Sequence, residues 1–327
     1  MKLTQLFHHF VALNIIGNVL YFCNSQNLRQ KRQKNRKGKD VPGHRQSLTI
    51  NYPLDFFGAT EKQNWRTPAF YDQTLIKQNE QQKKWTESSY AQDGEDIWLY
   101  ENWFYGMRQG VIMESGALDG ILFSNSYMFE TFANWTALHV EADPENYNNL
   151  ISNRPYAINI NCALCNEPQL LHYSSEGVLP VRGFIEFMSP SFIKKWHKNF
   201  YNNRTKLADL PSVQCVRVNT ILKELRVEHI DIWIVDIEGA EESVLRGMDF
   251  TSVRINAVAM ECDEHDIVKN SRKTDILEAN GFKCQLVERN CMCRNKLYTA
   301  SAAPQKTLLR KWDGHKWADT YNSTAAV

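Results

Sequence analysis

The chain has 327 residues, of which 43% are hydrophobic and 23% are charged, and its formal net charge is +1 at pH 7. This length suffices for one large α/β domain with extensions, and the apolar content can supply its core. The near-zero net charge conceals a strongly basic run at residues 29–39, so the rest of the chain is mildly acidic. That balance argues against a nucleic-acid groove in the main domain, because such grooves are basic.

An apolar stretch lies near the start of the chain, at Leu6–Cys23, and contains two histidines and two asparagines. It is shorter and more polar than a membrane-spanning helix, which needs ~20 apolar residues. A short basic start at Lys2 and small residues at Cys23 and Ser25 are typical of a signal peptide. We therefore predict a signal peptide or membrane anchor in residues 1–25, which would permit membrane association through this segment.

The location of the main domain is open from the sequence. Three N-glycosylation sequons, at Asn134, Asn203 and Asn322, fit a luminal route. The basic run directly after the apolar segment instead favours the cytoplasmic side. We predict a secretory-pathway or membrane-associated protein, with a cytosolic-facing orientation as the alternative.

Residues 26–88 are rich in Gln, Lys and Asn, and few apolar positions recur in them. Such composition predicts a basic and polar linker that is largely disordered. The folded domain is expected at residues 89–303, followed by a tail at 304–327. Its first helix is predicted around Ile97–Phe104, where apolar residues follow helical spacing.

Eight cysteines are present at irregular spacing and match no zinc pattern, so no metal site is predicted. Two close pairs occur, Cys162 with Cys165 and Cys291 with Cys293. Buried free thiols and one or two disulfides remain equally open.

The most informative stretch is residues 110–143. An apolar run, Val111–Met113, meets Glu114 and then a turn of small residues, Gly116–Gly120. A helix-like stretch and a second apolar run follow, and the second run ends at Glu141. A strand, a glycine turn, a helix and a strand with a terminal acid predict a nucleotide-binding βαβ unit.

The acids indicate which nucleotide this unit takes. Glu114 occupies the position of the first glycine in a dinucleotide motif, where a carboxylate would repel pyrophosphate. This disfavours a NAD-dependent oxidoreductase and favours a positively charged ligand without phosphates, such as S-adenosylmethionine. Glu141 is then placed to accept hydrogen bonds from the ribose hydroxyls. The alternative is an ordinary α/β turn whose acids face solvent.

Further elements complete the domain. A helix is predicted at Pro144–Arg154 with Asp143 as its N-cap, followed by a strand at Ala157–Leu164 and a short helix at Asn219–Leu225. Residues 166–212 between them show no regular pattern, and an insertion this long usually carries function or caps a site.

The last third of the chain continues the alternation. Ile230–Val235 predicts a buried parallel strand ending at Asp236, and Asn256–Met260 predicts another. A helix at Lys273–Asn280 and a hairpin of 282–287 with 296–299 follow. The order predicts an α/β fold with a Rossmann-like, doubly wound, seven-stranded sheet and an antiparallel edge hairpin.

With these stretches placed, the chain resembles the FkbM-type methyltransferase family, a branch of the class I S-adenosylmethionine-dependent enzymes, over residues 90–299. The resemblance rests on short motifs in a fixed order: AQDGEDI (91–97), MESGALDG (113–120), SNS (124–126), HVEADP (139–144), NCAL (161–164), FMSPSF (187–192), VDIEGAEESVL (235–245) and ERN (288–290). Star, an insect trafficking protein, is similar on this domain, so the fold does not guarantee catalysis.

The resemblance implies S-adenosylmethionine as cofactor and a set of residues that bind it: Gln92, Glu95, Glu114, Gly116, Ala117, Asp119, Gly120, Asn125, Glu141, Cys162, Ala163 and Asp236. Among these, residues 114–120 would cradle the methionine end and Glu141 would hold the ribose. Cys162 and Ala163 would flank the adenine, and Gln92 and Glu95 would close over the cofactor.

Two residues are predicted for catalysis. Asp236 would face the transferring methyl and act as base or orient the acceptor, and His265 is held in reserve because its unperturbed pKa of ~6.5 suits a base. Like-charge repulsion from Glu238, Glu261 and Asp263 is expected to raise the pKa of Asp236. The alternatives are that Asp236 caps the following helix and that His265 lies on the surface.

The predicted activity is O-methylation of a hydroxyl on a glycan or small metabolite. A non-catalytic, Star-like trafficking or adaptor protein of the secretory pathway that retains the fold is the alternative. The apolar N-terminal segment, the polar stem and the sequons support that alternative, whereas the intact set of acids favours cofactor binding.

Overall fold

A computed structural model describes residues 49–50, 54–58, 68–82, 84–262, 267–301, 308–312 and 317–321. The predicted signal or anchor segment, the basic run, His265 and the sequon at Asn322 lie outside the described residues. Within the described ranges, none of the helices combines the length and the apolar character that a membrane span requires.

The strands in chain order are β1 (Thr49–Ile50), β2 (Phe56–Phe57), β3 (Phe70–Tyr71), β4 (Met107–Arg108), β5 (Val111–Ser115), β6 (Thr136–Glu141), β7 (Ile158–Asn161), β8 (Ala163–Leu164), β9 (Leu170–Ser174), β10 (Gly183–Phe184), β11 (Ser212–Val216), β12 (His229–Val235), β13 (Arg254–Glu261), β14 (Phe282–Val287), β15 (Asn290–Asn295), β16 (Leu308–Trp312) and β17 (Trp317–Tyr321). The helices are α1 (Gln73–Gln82), α2 (Glu95–Trp103), α3 (Tyr127–Thr131), α4 (Pro144–Asn153), α5 (Pro190–Trp196), α6 (Lys198–Tyr201), α7 (Val218–Glu224), α8 (Glu241–Arg246) and α9 (Ile267–Ala279).

The main sheet has the order β14-β15-β13-β12-β5-β6-β7-β2. Its five central strands, from β13 to β7, are parallel, and the two outer strands β14 and β15 form an antiparallel hairpin. Chain order reverses between β5 and β12, which is where ligands bind in doubly wound sheets. The Rossmann-like fold with an antiparallel edge is as the sequence predicts.

Both faces of the sheet are covered, which explains the continuous apolar runs in its strands. Along β12, Ile232 and Ile234 pack into one buried cluster while Trp233 and Val235 pack into the cluster on the other face. Successive side chains of a strand point to opposite faces, so this single apolar run contributes to two cores.

The predicted linker contains ordered elements, which corrects the expectation of disorder for those residues. Strand β2 pairs with β7 in antiparallel orientation and adds an eighth strand to the sheet. Leu75 of α1 and Trp85 of the following 3₁₀ turn are only 3% and 2% exposed. Each of these segments packs through only a few apolar residues among many polar ones, so composition alone does not reveal the ordered elements.

The second strand of the edge hairpin lies at 290–295 and not at the predicted 296–299. Strands β14 and β15 are joined by a tight turn at Glu288 and Arg289, and Glu288 has a positive φ of 53°. The strand carries buried cysteines and Met292 between polar residues, a pattern that resembles a loop more than a strand.

The predicted third strand, at residues 157–164, is divided at Cys162. Strand β7 stays in the main sheet, whereas β8 pairs with β11 in a second sheet of order β1-β11-β9-β10. The insertion at 166–212, expected to be irregular, supplies β9 and β10, the helices α5 and α6, and the first residue of β11. Its strands are short, and their partners lie far away in sequence.

Within the described part of the chain, the cysteines form three disulfides and one stays free, so neither alternative left open by the sequence holds alone. They join Cys165 to Cys215, Cys262 to Cys291 and Cys284 to Cys293, while Cys162 is a buried free thiol. Bridges that close loops of this size stabilise a domain by about 2–4 kcal/mol each. Disulfides persist mainly in oxidising compartments.

Candidate functional site

A cleft of about 950 Å³ opens at the carboxyl ends of the parallel strands. It lies where the order of the main sheet reverses, between the ends of β5, β6 and β12. Seven of the predicted site residues line it: Gln92, Glu114, Gly116, Asn125, Glu141, Cys162 and Asp236.

The turn after β5 closes the floor of this cleft. Gly116 has a φ of +84°, and a Cβ atom there would lie 1.7 Å from the carbonyl oxygen of Asp236. Only glycine allows both that backbone conformation and that approach of two strand ends. The Gly116 N–H donates to the carbonyl of Val140 at 2.9 Å, so the turn connects three strand ends.

Glu141 lies directly against this turn, as the sequence predicts. Its Oε2 accepts a hydrogen bond from the Leu118 N–H at 2.8 Å, and its Oε1 accepts one from the Asp143 N–H at 2.7 Å. The side chain is 5% exposed, and burial raises its pKa to about 8. Each carboxyl oxygen can accept more than one hydrogen bond, so the group retains capacity for ribose hydroxyls.

Glu114 binds the SNS loop, residues 124–126, as well as lining the cleft, which refines its predicted role. Its carboxylate accepts hydrogen bonds from the N–H groups of Asn125 (2.6 Å) and Ser126 (3.3 Å) and from the hydroxyls of Ser124 (3.0 Å) and Ser126 (2.5 Å). Burial raises its pKa. Glu114 therefore holds Asn125 at the cleft as well as contributing negative charge to it.

A buried network that the sequence did not indicate supports this loop. The Arg154 guanidinium donates to the hydroxyls of Ser124 and Ser126, both at 3.2 Å, and also pairs with Glu130. The Ser126 hydroxyl meets His139 Nε2 at 2.8 Å. Histidine on a strand and arginine at a helix end are common in any sequence, so no local pattern identifies these partners.

Asp236 is exposed at the cleft, immediately after β12. Among the described residues, no donor lies within hydrogen-bonding distance of its carboxylate. Protein atoms around the cleft displace water, and Glu241, Glu95 and Glu114 add repulsion, so the pKa of Asp236 rises to about 7. The expected rise in pKa is present, although its main charged contributors are not the predicted Glu238 and Glu261. The predicted Asp263 lies outside the described residues.

The alternative role of Asp236 as a helix cap is wrong. Helix α8 begins after Ala240, which makes no side-chain capping bond. The turn is held instead by Glu241, whose Oε1 accepts from the N–H groups of Ile237 (3.1 Å) and Gly239 (3.0 Å).

The AQDGEDI and ERN motifs meet at one side of the cleft. Glu95 accepts a hydrogen bond from Asn290 Nδ2 at 2.8 Å, and Arg289 forms an ion pair with Asp93. Burial and the neighbouring Asp93 raise the pKa of Glu95 to about 7. Gln92, which precedes Asp93 in the chain, lines the cleft, whereas Glu95 does not.

Four other predicted cofactor residues support the walls and do not line the cleft. The Asp119 carboxylate accepts from the N–H groups of Ile121 and Leu122, and Gly120 makes room for Arg154. Ala117 packs in a small buried cluster, and Ala163 belongs to the second sheet.

The sequence missed the wall that the insertion supplies. Tyr173, Leu179, Arg182 and Phe184 line the cleft opposite the glycine turn. The Tyr173 hydroxyl donates to Asp143 Oδ2 at 2.9 Å and so joins the insertion to the end of β6. The length of the insertion was the one signal that it caps a site.

The residues present fit S-adenosylmethionine. Asn125 Oδ1 is buried and has no hydrogen-bond donor within the described part of the chain, so it suits the ammonium group of the ligand. The cleft also carries five carboxylates (Glu114, Glu141, Asp236, Glu238 and Glu261) and one arginine. That excess of negative charge suits a cationic sulfonium and repels pyrophosphate.

Comparisons with known proteins agree with this geometry. A family model described as the methyltransferase FkbM domain matches residues 114–284, which is more than half of the chain. No curated protein sequence matches the chain.

Among solved structures, similar chains include a precorrin-6y C5,15-methyltransferase from Geobacter metallireducens (10% identity, TM-score 0.30, 68% of this chain and 90% of that chain). Aeropyrum pernix fibrillarin, crystallised with bound S-adenosyl-L-methionine, shares 14% identity (TM-score 0.31, 57% and 66%). The METTL16 methyltransferase domain shares 13% (TM-score 0.31, 62% and 63%). Such distant similarity says nothing about the substrate. The family model is decisive: the chain belongs to the FkbM family of S-adenosylmethionine-dependent methyltransferases.

Proposed function

We propose that the protein methylates a hydroxyl group of a glycan or small metabolite, with Asp236 as the residue that accepts the hydroxyl proton. When bound, S-adenosylmethionine supplies an already activated methyl group. The chain must then align the acceptor oxygen and take up its proton, and alignment provides most of the acceleration.

The observation that carries the proposal is the state of the Asp236 carboxylate. It lies at the cleft, among described residues it has no hydrogen-bond donor, and its pKa is raised to about 7. A base works best when its pKa is near the ambient pH, since it is then ionised and still attracts a proton. Glu114 and Glu141 do not meet these conditions, because their oxygens already accept bonds from the protein.

Substitution of the base tests this proposal. With radiolabelled S-adenosylmethionine and a panel of methyl glycosides and hydroxylated metabolites, Asp236→Asn should reduce turnover by about 10²-fold or more. Adenosylhomocysteine affinity should stay within a few fold. The exposed Glu224→Gln variant serves as a matched control. Normal turnover in Asp236→Asn would remove the base from this role, and loss of cofactor binding would make Asp236 a binding residue.

A non-catalytic adaptor of the secretory pathway is the second candidate. Three disulfides and the exposed sequons at Asn134 and Asn203 suit an oxidising lumen and so support this candidate. They support a luminal enzyme equally well. The two functions differ in ligand binding, because an adaptor has no need to bind adenosylhomocysteine.

We also propose a secretory-pathway location for the domain. Endoglycosidase treatment of protein expressed in cells should shift its mobility, and Asn203→Gln should remove part of that shift. A chain that carries no glycan on any sequon and whose six paired cysteines are all reduced would place the domain on the cytosolic face.

A further inference from the structure

One arginine of the insertion has an incompletely satisfied side chain at the cleft. Arg182 Nη1 lies 3.3 Å from Glu145 Oε2 and 3.6 Å from Asp143 Oδ2. Its Nε is buried and has no acceptor within the described part of the chain. A buried donor attached to a charged group is costly when it lacks a partner. Arg182 lines the cleft, so the missing acceptor can come from a ligand.

The backbone around Arg182 is fixed without any ligand. Strand β10, which follows it directly, pairs with β9. On its other side, the Val181 carbonyl accepts a hydrogen bond from Nε2 of the buried His197 at 2.9 Å, and His197 Nδ1 meets the Ser174 hydroxyl at 2.8 Å. The backbone contacts therefore fix the position of Arg182 in the chain, and two carboxylates hold its guanidinium.

The cleft has complementary groups at its two sides. The backbone N–H of Asn125 donates to Glu114. Among the described residues, the side-chain Oδ1 of Asn125 is an acceptor without a donor, whereas Arg182 Nε is a donor without an acceptor. Asp143, the partner of Arg182, follows Glu141 by two residues, so the arginine is on the ribose side. An adenosyl ligand matches this polarity, because its ammonium only donates and its ring nitrogens N1, N3 and N7 only accept.

We propose that Arg182 Nε donates a hydrogen bond to a ring nitrogen of the adenine, which makes the insertion the reader of the nucleoside base. This inference rests on the proposed function, since it presumes an adenosyl ligand in the cleft. Arg182 thus acts as a specificity-determining residue for the cofactor. It pairs with Asp143 and Glu145 on the protein side and with the base on the ligand side.

Titration calorimetry with two ligands tests the inference. Adenosylhomocysteine contains both halves of the cofactor, and methylthioadenosine lacks the amino-acid half. Arg182→Lys keeps a charge beside Asp143 but removes the Nε donor, so it should weaken both ligands about tenfold or more. Asn125→Ala should weaken adenosylhomocysteine alone. Glu224→Gln, at an exposed helix residue that does not line the cleft, should change both affinities by less than about twofold.

The outcomes separate the two hypotheses. If wild-type protein binds neither ligand, the proposed function fails and this inference fails with it. If wild-type protein binds both and Arg182→Lys binds them equally well, only the role of Arg182 is wrong. Far-ultraviolet circular dichroism and the melting temperature establish that Arg182→Lys is folded. Arg182→Met, whose side chain reaches the position of Nε but has neither a donor nor a charge, should show the same loss.

Discussion

The two walls of the cleft are built in different ways. The glycine-turn wall, residues 111–141, consists of adjacent parallel strands and the loop between them. The insertion wall, residues 163–216, depends on pairings between distant segments, because β11 contacts β8, β9 and β1. A disulfide from Cys165 to Cys215 closes it. The residues of the first wall are therefore close together in the sequence, whereas those of the second wall come together only when distant segments pair.

The walls also differ in what holds them. The glycine-turn wall relies on buried carboxylates that accept backbone N–H groups, as Glu114 and Glu141 do. The insertion wall relies on a disulfide and on neutral His197, which connects Ser174 to Val181. Loss of a buried acid should therefore damage the whole domain, whereas loss of a cross-link should damage mainly the insertion.

The largest effect is expected from Glu114→Ala. The substitution leaves four donors of the SNS loop unsatisfied and removes a carboxylate near Arg154, which keeps its ion pair with Glu130, so stability should fall by about 3–5 kcal/mol. Glu114→Gln keeps the shape and part of the hydrogen bonding and should cost less. Urea unfolding measures both variants. Unchanged stability in Glu114→Gln with complete loss of adenosylhomocysteine binding would show that Glu114 serves the ligand and not the loop.

A smaller effect is expected when the insertion loses its cross-link. Replacing Cys165 and Cys215 together by Ser opens a loop of 50 residues and should reduce stability by about 2–4 kcal/mol. Limited proteolysis should then cut first within 166–212, while the main sheet stays intact. The double variant at Cys284 and Cys293 is the control, since it should leave the insertion protected. Cleavage in the main sheet first would remove the distinction between the walls.

The smallest expected effect is a pH dependence that separates the walls. Buried Asp96 and Glu141 have pKa values raised to about 7 and about 8, so stability falls as pH rises through these values. Burial lowers the pKa of His197, so its contribution is lost as pH falls below about 6.5.

The melting temperature of the free protein should therefore decrease by a few degrees, about 3–8 °C, from pH 6.5 to 8. The histidines of the unfolded chain are half protonated at pH 6.5, and their small opposing contribution is outweighed by the loss from the carboxyl groups. Differential scanning calorimetry in buffers of equal ionic strength measures it. Glu141→Gln should flatten the upper part of this profile. A melting temperature that rises over the same range would show that these carboxyls ionise at their ordinary pKa.

The features of the site that the sequence could predict lie in the glycine-turn wall, and those that it could not predict lie in the insertion wall. The run ending at Glu114, the turn at Gly116 and the acid at Glu141 form a local pattern, and all three come together at the cleft. Arg182, Tyr173 and the pairings of β11 could not be foreseen, because their partners lie 30 or more residues away. Strand β15 was misplaced because its short buried run, Cys291–Cys293, is flanked by polar residues and resembles a loop.

We predict that the cleft at the carboxyl edge of the sheet binds an adenosyl cofactor that is cationic and carries no phosphate. Calorimetric titration of the purified protein with adenosylhomocysteine and, separately, with NADH tests it most directly. We predict one binding site for adenosylhomocysteine and no heat of binding with NADH. Binding of NADH, or silence with adenosylhomocysteine as well as with S-adenosylmethionine, would contradict the claim.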